Sequence, residues 1–400
     1  MLQANDMTPL PISRRIASLL ELLNPLYQFM TTSTYVRRAH EPGICDFVVG
    51  NPHEMPLPEF VSALQRWSVP QNKDWFAYTD NDPQARAVVA NSLRERRGMP
   101  FEPDDIFLTN GSFAAQAVAL HTLTDPGDEV IFISPPWFFY EALIVSAGAR
   151  PIRVKAPPPT FDLDLKAIEA AITQRTRAII VNSPNNPTGR IYPPRTLEGL
   201  GQVLSRASER LGRTIYILSD EAYSRIVYDG REFCSPTEFY PNTLMLYTYG
   251  KTLLIPGQRL GYIALPPTMP YRERLRPALF LAQMMIGYAF PNTLLQHALP
   301  DLEPLSIDIP HLQRKRDHMV KMLRDIGYEV NVPEGTFYLL VRAPIDDDVA
   351  FIERLAEHDV FCLPGRAAEL PGYFRVSLTA NDDMIERAAA GFAAALRSIP

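Results

Sequence analysis

Lys251, in Tyr249-Gly250-Lys251-Thr252, stands eight positions before Arg259 in Pro256-Gly257-Gln258-Arg259-Leu260-Gly261-Tyr262. A lysine amine has a flexible stem and a pKa that its surroundings can depress, which suits imine formation with an aldehyde. A guanidinium never deprotonates and can grip a phosphate through two parallel N–H groups. Together the two residue types fit the two ends of pyridoxal 5′-phosphate. Alone, such a pair more often marks two solvated surface cations.

Two further motifs change that balance. Ser183-Pro184-Asn185-Asn186-Pro187-Thr188-Gly189-Arg190 follows the apolar run Ala178–Val181 and so lies at the carboxyl end of a predicted strand, where open α/β sheets bind ligands. The same Asn, Pro and Gly residues also suit a plain turn. Ser219-Asp220-Glu221-Ala222-Tyr223 closes a second apolar run, Thr214–Leu218. A carboxylate buried at a strand end needs a partner, so Asp220 is expected to face a cation such as a pyridinium N–H, with a helix N-cap as the alternative role. Glu221, on the opposite side, is expected to pack or to form a salt bridge.

These segments must be positioned by a scaffold, and apolar β-branched runs alternate with amphipathic ones along most of the chain, the pattern of a parallel sheet covered by helices. Strands are predicted at Glu129–Ser134, Ala178–Asn182, Thr214–Ser219, Thr243–Thr248 and Tyr262–Leu265, with helices at Ser112–Thr124, Leu163–Thr173 and Arg195–Leu211. Beyond Pro291 the pattern becomes α+β: helices at His311–Ile326, Asp347–His358 and from Asp382, and strands near Tyr328–Val332, Gly335–Val341, Phe361 and Tyr373–Leu378. The domain expectation is an N-terminal arm and small-domain segment at 1–49, a large cofactor-binding domain at 50–290 and a small domain at 291–400.

Composition narrows the partners. Lys+Arg 39 against Asp+Glu 45 leaves a net charge of −6 without a long basic run, which argues against nucleic acid and anionic membrane. Cys45, Cys234 and Cys362 are far apart, with neither a disulfide framework nor zinc-ligand spacing. Met1–Leu10 has no basic stretch leading into an apolar one, and no 18-residue apolar run occurs, so the expected location is cytoplasmic.

With Asn185-Asn186-Pro187-Thr188-Gly189, Asp220-x-x-Tyr223, Lys251 with Arg259, and Phe374-Arg375-Val376-Ser377 in one order, the chain resembles the fold-type I pyridoxal-phosphate-dependent aminotransferases of the class I/II family from about Asp46 to about Arg397. The resemblance implies an α/β large domain, a smaller α+β domain and a homodimer. Lys251 would bind the cofactor and carry protons, Asp220 would pair with the pyridine nitrogen, and Tyr223 and Asn186 would donate to the ring's 3-oxygen. Arg375 would hold the substrate α-carboxylate, with Gly50 in the stretch that closes over substrate. Gly111, Ser112 and Phe113 at a helix start, with Thr248 and Arg259, would form the phosphate site. Trp137 would stack on the ring, and Tyr78 would reach the neighbouring subunit's phosphate. Met284, Met285 and Tyr288 are expected beside the substrate side chain, and Tyr27, Phe29 and Tyr35 in an arm packed on the partner.

Two positions depart from the family pattern: Gly250 stands where relatives commonly have serine, with Thr248 available to compensate, and Asp80-Asn81-Asp82-Pro83 follows Tyr78 in place of a glycine. No second arginine for a dicarboxylic substrate is evident. The expected reaction exchanges an amino group between an amino acid, aromatic or aliphatic by preference, and a 2-oxo acid. The alternative is another pyridoxal-phosphate reaction on an amino acid, such as elimination, cyclisation, decarboxylation or oxidation. A P-loop around Gly250-Lys251-Thr252 fails because Met245 stands where its first glycine belongs, and Gly199-Leu200-Gly201 lacks the third glycine of a dinucleotide site at Leu204.

Overall fold

The computed structural model describes residues 11–399, so the Met1–Leu10 part of the export expectation lies outside the described residues. Seven strands form the central sheet: β1 (Ile106–Thr109), β2 (Glu129–Ser134), β3 (Arg150–Lys155), β4 (Thr176–Asn182), β5 (Tyr216–Asp220), β6 (Thr243–Thr248) and β7 (Gly261–Ala264). Their spatial order is β1-β7-β6-β5-β4-β2-β3. The strands from β6 through β3 run parallel, whereas β7 is antiparallel to both of its neighbours, so the sheet is mostly rather than wholly parallel.

The continuous apolar runs follow from coverage on both faces. Successive strand side chains alternate, so Val130, Phe132, Ile180 and Leu218 meet the helix Gly111–Leu123 through Ala115 and Val118, while Ile131, Ile133, Ile179 and Ile217 meet Leu197, Leu200 and Leu204 of Pro194–Leu211 on the other face. Pro194 opens that second helix and Gly212, at φ +61°, ends it in the left-handed conformation that favours glycine. The edge strands β1 and β3 are absent from the sequence-based expectation. In β3, Pro151 and three basic residues dilute the apolar signal, as suits an edge where the strand's outer backbone has no ladder partner.

A second, antiparallel sheet has the order β10-β11-β9-β8, built from β8 (Val330–Asn331), β9 (Tyr338–Arg342), β10 (Leu363–Pro364) and β11 (Tyr373–Ser377). Helices Ile309–Ile326, Asp348–Ala356 and Asp382–Arg397 share its core. The N-terminal segment joins this unit: Cys45–Asp46 pairs parallel with Val360–Phe361, and Phe29, Phe47 and Val48 pack with Phe337, Phe374 and Phe392. Burial of each such phenylalanine contributes about 1.5–3 kcal/mol. Phe29 and Tyr35 thus pack within their own chain. They stack on each other at 5.9 Å, and the Tyr35 hydroxyl donates to Asp46 at 3.1 Å. Tyr27 is exposed. Helix Thr293–Leu302 packs through Leu295, Ala298 and Leu299 against Phe60, Val89 and Tyr247. We keep the division into 1–49, 50–290 and 291–400 as a proposal, with this helix resting on the large unit.

Candidate active site

The carboxyl ends of β4, β5 and β6 converge on one cavity of about 250 Å³. Its walls include Gly50, Ser112, Phe113, Trp137, Asn186, Asp220, Tyr223, Thr248, Lys251, Arg259 and Arg375, so residues up to 325 positions apart meet in one place. Lys251 is half-buried on the short helix Tyr249–Thr252, which starts directly after β6 with the Thr248 hydroxyl accepting from the Gly250 N–H at 3.2 Å. Its Nζ lies 5.8 Å from the Tyr223 ring centre and 5.7 Å from that of Phe337.

Asp220 ends β5, is 5 % exposed, and is held from three directions. Tyr140 donates to Oδ2 at 2.6 Å, Gln116 Nε2 donates to the same oxygen at 2.9 Å, and the Ala222 N–H reaches Oδ1 at 3.3 Å. Burial raises the Asp220 pKa, while Tyr140, Ala222, the Lys251 charge and Gln116 counteract it. A carboxylate this costly to keep charged, in contact with the cavity, suits a cationic ring nitrogen. Burial and the adjacent Asp220 carboxylate hold the Tyr140 phenol well above its usual range, so it remains a donor. Glu221 points the other way and pairs with Arg97 at 3.0 Å.

The Asn185–Gly189 turn is tied to the strand ends. Asn182 Nδ2 donates to the Asp220 carbonyl at 2.9 Å, its Oδ1 accepts from the Asn186 N–H at 2.8 Å, and Asn185 Oδ1 accepts from the Thr188 hydroxyl at 2.8 Å. Asn186 Oδ1 in turn accepts from Arg375 Nη1 at 2.9 Å, while Arg375 Nη2 donates to the Val48 carbonyl at 2.9 Å. Arg375 lies on β11, so this contact joins the second sheet to the first.

At the opposite end of the cavity Gly111, at φ +78°, begins its helix, and a Cβ there would lie 2.8 Å from Arg259 Nη2 and 3.5 Å from the Thr248 hydroxyl. A guanidinium, a hydroxyl and the free N–H groups of a helix start thus surround a space that only glycine leaves open. Burial lowers the Arg259 pKa, and no carboxylate contributes. This donor set, with Lys251 between it and Asp220, fits pyridoxal 5′-phosphate. Trp137 meets Phe113 edge-on at 5.1 Å and Tyr140 at 5.4 Å, making an aromatic wall.

Four expected site residues do not line this cavity, Tyr78 among them as one expected to serve the neighbouring subunit. Tyr78 is fully exposed, and Met284, Met285 and Tyr288 lie on an exposed stretch of and beyond helix Arg272–Met285 instead of beside the Arg375 pocket of their own chain. Conversely, Tyr140, Gln116, Asn182 and Tyr338 were not anticipated. Gln116 carried a signal, being the one polar residue in the apolar run Ala114–Leu120, whereas Tyr338 sits among Phe337 and Leu339 with nothing to distinguish it from core. Tyr338 also lies beside Tyr223, the two ring centres 6.0 Å apart. Burial raises Tyr223, and burial would raise Tyr338 too, but the Arg375 and Lys251 charges bring Tyr338 below its usual value.

Residues 42–392 match the family model described as aminotransferase class I and II. The chain is 30% identical to an aspartate/prephenate aminotransferase of Thermus thermophilus, covering 86% of this chain and 89% of that protein. It is likewise 30% identical to an aspartate aminotransferase of Thermotoga maritima, covering 94% and 97%. Among solved structures, an aminotransferase from Eubacterium rectale superimposes with a TM-score of 0.86 at 31% identity, over 94% of this chain and 98% of that one. The aspartate aminotransferase of Thermotoga maritima gives 0.83 at 28%, over 97% and 100%.

Proposed function

Since the chain belongs to the class I and II aminotransferases and is a pyridoxal-phosphate-dependent enzyme that exchanges an amino group between an amino acid and a 2-oxo acid, we propose that its amino acid carries an aromatic or aliphatic side chain. When bound, the cofactor supplies a carbonyl carbon to receive the amino group and a ring to accept the electron pair released at the α-carbon. Lys251 Nζ takes the α-proton and returns it. Asp220, held by Tyr140 and Gln116, keeps the ring nitrogen protonated. Tyr223 and Asn186 would donate to the ring's 3-oxygen, and Trp137 would stack on the ring. Gly111, Ser112, Phe113, Thr248 and Arg259 receive the phosphate, and Arg375 receives the α-carboxylate, with Gly50 above it.

The preference for an apolar side chain rests on one observation. Among the described residues the cavity's cations are Lys251, Arg259 and Arg375, each with a role already, and the facing wall is Phe113, Trp137 and Phe138. A second carboxylate placed there would lose its hydration without a partner. The relatives named for aspartate supply the competing reading. We include in the proposal a cytoplasmic homodimer in which Tyr78 reaches the partner's phosphate site and Met284, Met285 and Tyr288 lie on the shared face. Exposure of all four supports it, as does the exposure of Phe76 and Leu281 beside them in sequence.

The test is single-turnover mixing of the cofactor-loaded enzyme with one amino acid and no acceptor, measuring 2-oxo acid released. Phenylalanine or leucine should give one equivalent with kcat/KM at least about tenfold above aspartate, the scale of one unpaired polar group. Faster release from aspartate would overturn the side-chain assignment.

A further inference from the structure

Arg375 is 4 % exposed and forms no salt bridge among the described residues. Two of its five N–H donors are taken, by Asn186 Oδ1 and the Val48 carbonyl, and its Nε–H is buried without a hydrogen-bond partner. A buried guanidinium in this state has a charge to be met by a ligand and few contacts fixing the plane of its fork. The group that does face it is the Tyr338 ring, whose centre lies 3.8 Å from the Arg375 Cζ. An aromatic face is the negative side of its quadrupole, so it both compensates a desolvated cation and keeps a planar guanidinium parallel to itself. The ring cannot swing away: Tyr338 is fixed by β9, next to Arg375's strand, and its hydroxyl is so close to Gly50 that a Cβ there would lie 2.5 Å from it.

We propose that Tyr338 is a positioning residue for substrate, its ring holding the Arg375 guanidinium in the orientation that receives the α-carboxylate. This rests on the assignment of the α-carboxylate to Arg375. The ring, not the hydroxyl, does the work, because the 3.8 Å contact is made by the aromatic face. Through the ring, Tyr338 would thereby act on substrate affinity by way of Arg375.

Four variants separate the possibilities: Tyr338→Phe, Tyr338→Leu, Tyr338→Met and, as a control on the underlying assignment, Arg375→Lys. Each is loaded with cofactor and checked for its visible absorbance and thermal midpoint. Steady-state kinetics with phenylalanine and calorimetric titration with 3-phenylpropanoate, a carboxylate without the reacting amine, are then compared. Tyr338→Phe should keep KM and the 3-phenylpropanoate Kd within about twofold of the parent, while Leu and Met should each raise both about tenfold with kcat close to that of Tyr338→Phe, the range expected for a desolvated cation–π contact. Methionine fills a similar volume, so it keeps the test open if the leucine variant fails to fold. An increase as large in Tyr338→Phe as in Tyr338→Leu would place the effect on the hydroxyl and overturn the proposal, as would unchanged affinity in both Leu and Met. If Arg375→Lys also left carboxylate affinity unchanged, the assignment of Arg375 itself would fall, a different failure from that of Tyr338.

Discussion

Two regions of the molecule, the buried network at Asp220 and the exposed surface at Tyr78, are built differently. At Asp220 the site is complete within one chain: a buried carboxylate, two side-chain donors on one oxygen and a backbone N–H on the other, all anchored at the end of β5 or on helices packed against the same sheet. At Tyr78 and helix Arg272–Met285 the chain instead presents Tyr78, Met284 and Met285 to solvent. The groups that carry charge and protons are preorganised by the sheet's core, where reorganisation during reaction is costly. The groups proposed to finish the phosphate and side-chain pockets stand on a surface that has nothing to pack against in a single chain. On this proposal the chemistry belongs to the buried region and the completion of the site to assembly.

The largest effect should come from the buried end. Lys251→Ala should lower turnover about 10⁴-fold, the upper range for losing a general acid–base group, and abolish borohydride fixation of the cofactor to the protein. Label recovered on another lysine would remove the centre of the comparison. Asp220→Ala should follow, with a loss of about 10²–10³-fold in kcat and about 1–3 kcal/mol of stability, because Tyr140 and Gln116 are left as buried donors with no acceptor. Asp220→Asn, which keeps an oxygen for those donors, should recover most of the stability and little of the activity. A thermal midpoint equal in both variants would show that the network does not depend on Asp220.

At the exposed end the expected effects are smaller and depend on assembly. Mixing the inactive Lys251→Ala chain with a Tyr78→Ala chain should restore about a quarter of parental activity, since random pairing makes half the dimers mixed and each mixed dimer has one intact site. No recovery on mixing, from chains shown to exchange, would assign Tyr78 no role across the interface. Met285→Glu, at a residue 76 % exposed in the single chain, should have the least effect on the chemistry and weaken the dimer about tenfold by sedimentation, a charge in an apolar contact being of order 1–2 kcal/mol. A monomer that kept full activity would erase the distinction between the two ends.

Much of the buried end was legible in the sequence. Asp220 and the Asn185–Gly189 turn each follow an apolar run that had to be a covered strand, and polar residues just past such a strand must lie at the sheet's carboxyl edge. Three of the second sheet's four strands and its helices were equally readable, because their periodicity is local, whereas the two-residue edge strand Leu363–Pro364 was too short to show one. The antiparallel sense of β7 was not, because strand direction is set by the connection and the partner rather than by the residues in the strand. The edge strand β3 was hidden by Pro151 and its charges. Met284, Met285 and Tyr288 show the limit most clearly: an apolar stretch announces that it will be covered, but not by what.

What the sequence determined by itself was the set of chemical groups and the strands that carry them, since residue type, order and hydrophobic period are properties of a short stretch. Only the tertiary structure decided which groups touch. Tyr140 and Gln116 converge on one oxygen of Asp220, and Tyr338 faces Arg375, through contacts that span 80, 104 and 37 positions. No local pattern encodes such pairs. They exist because two helices and two sheets pack at fixed distances, and the side chains filling the space between them have no other place to go.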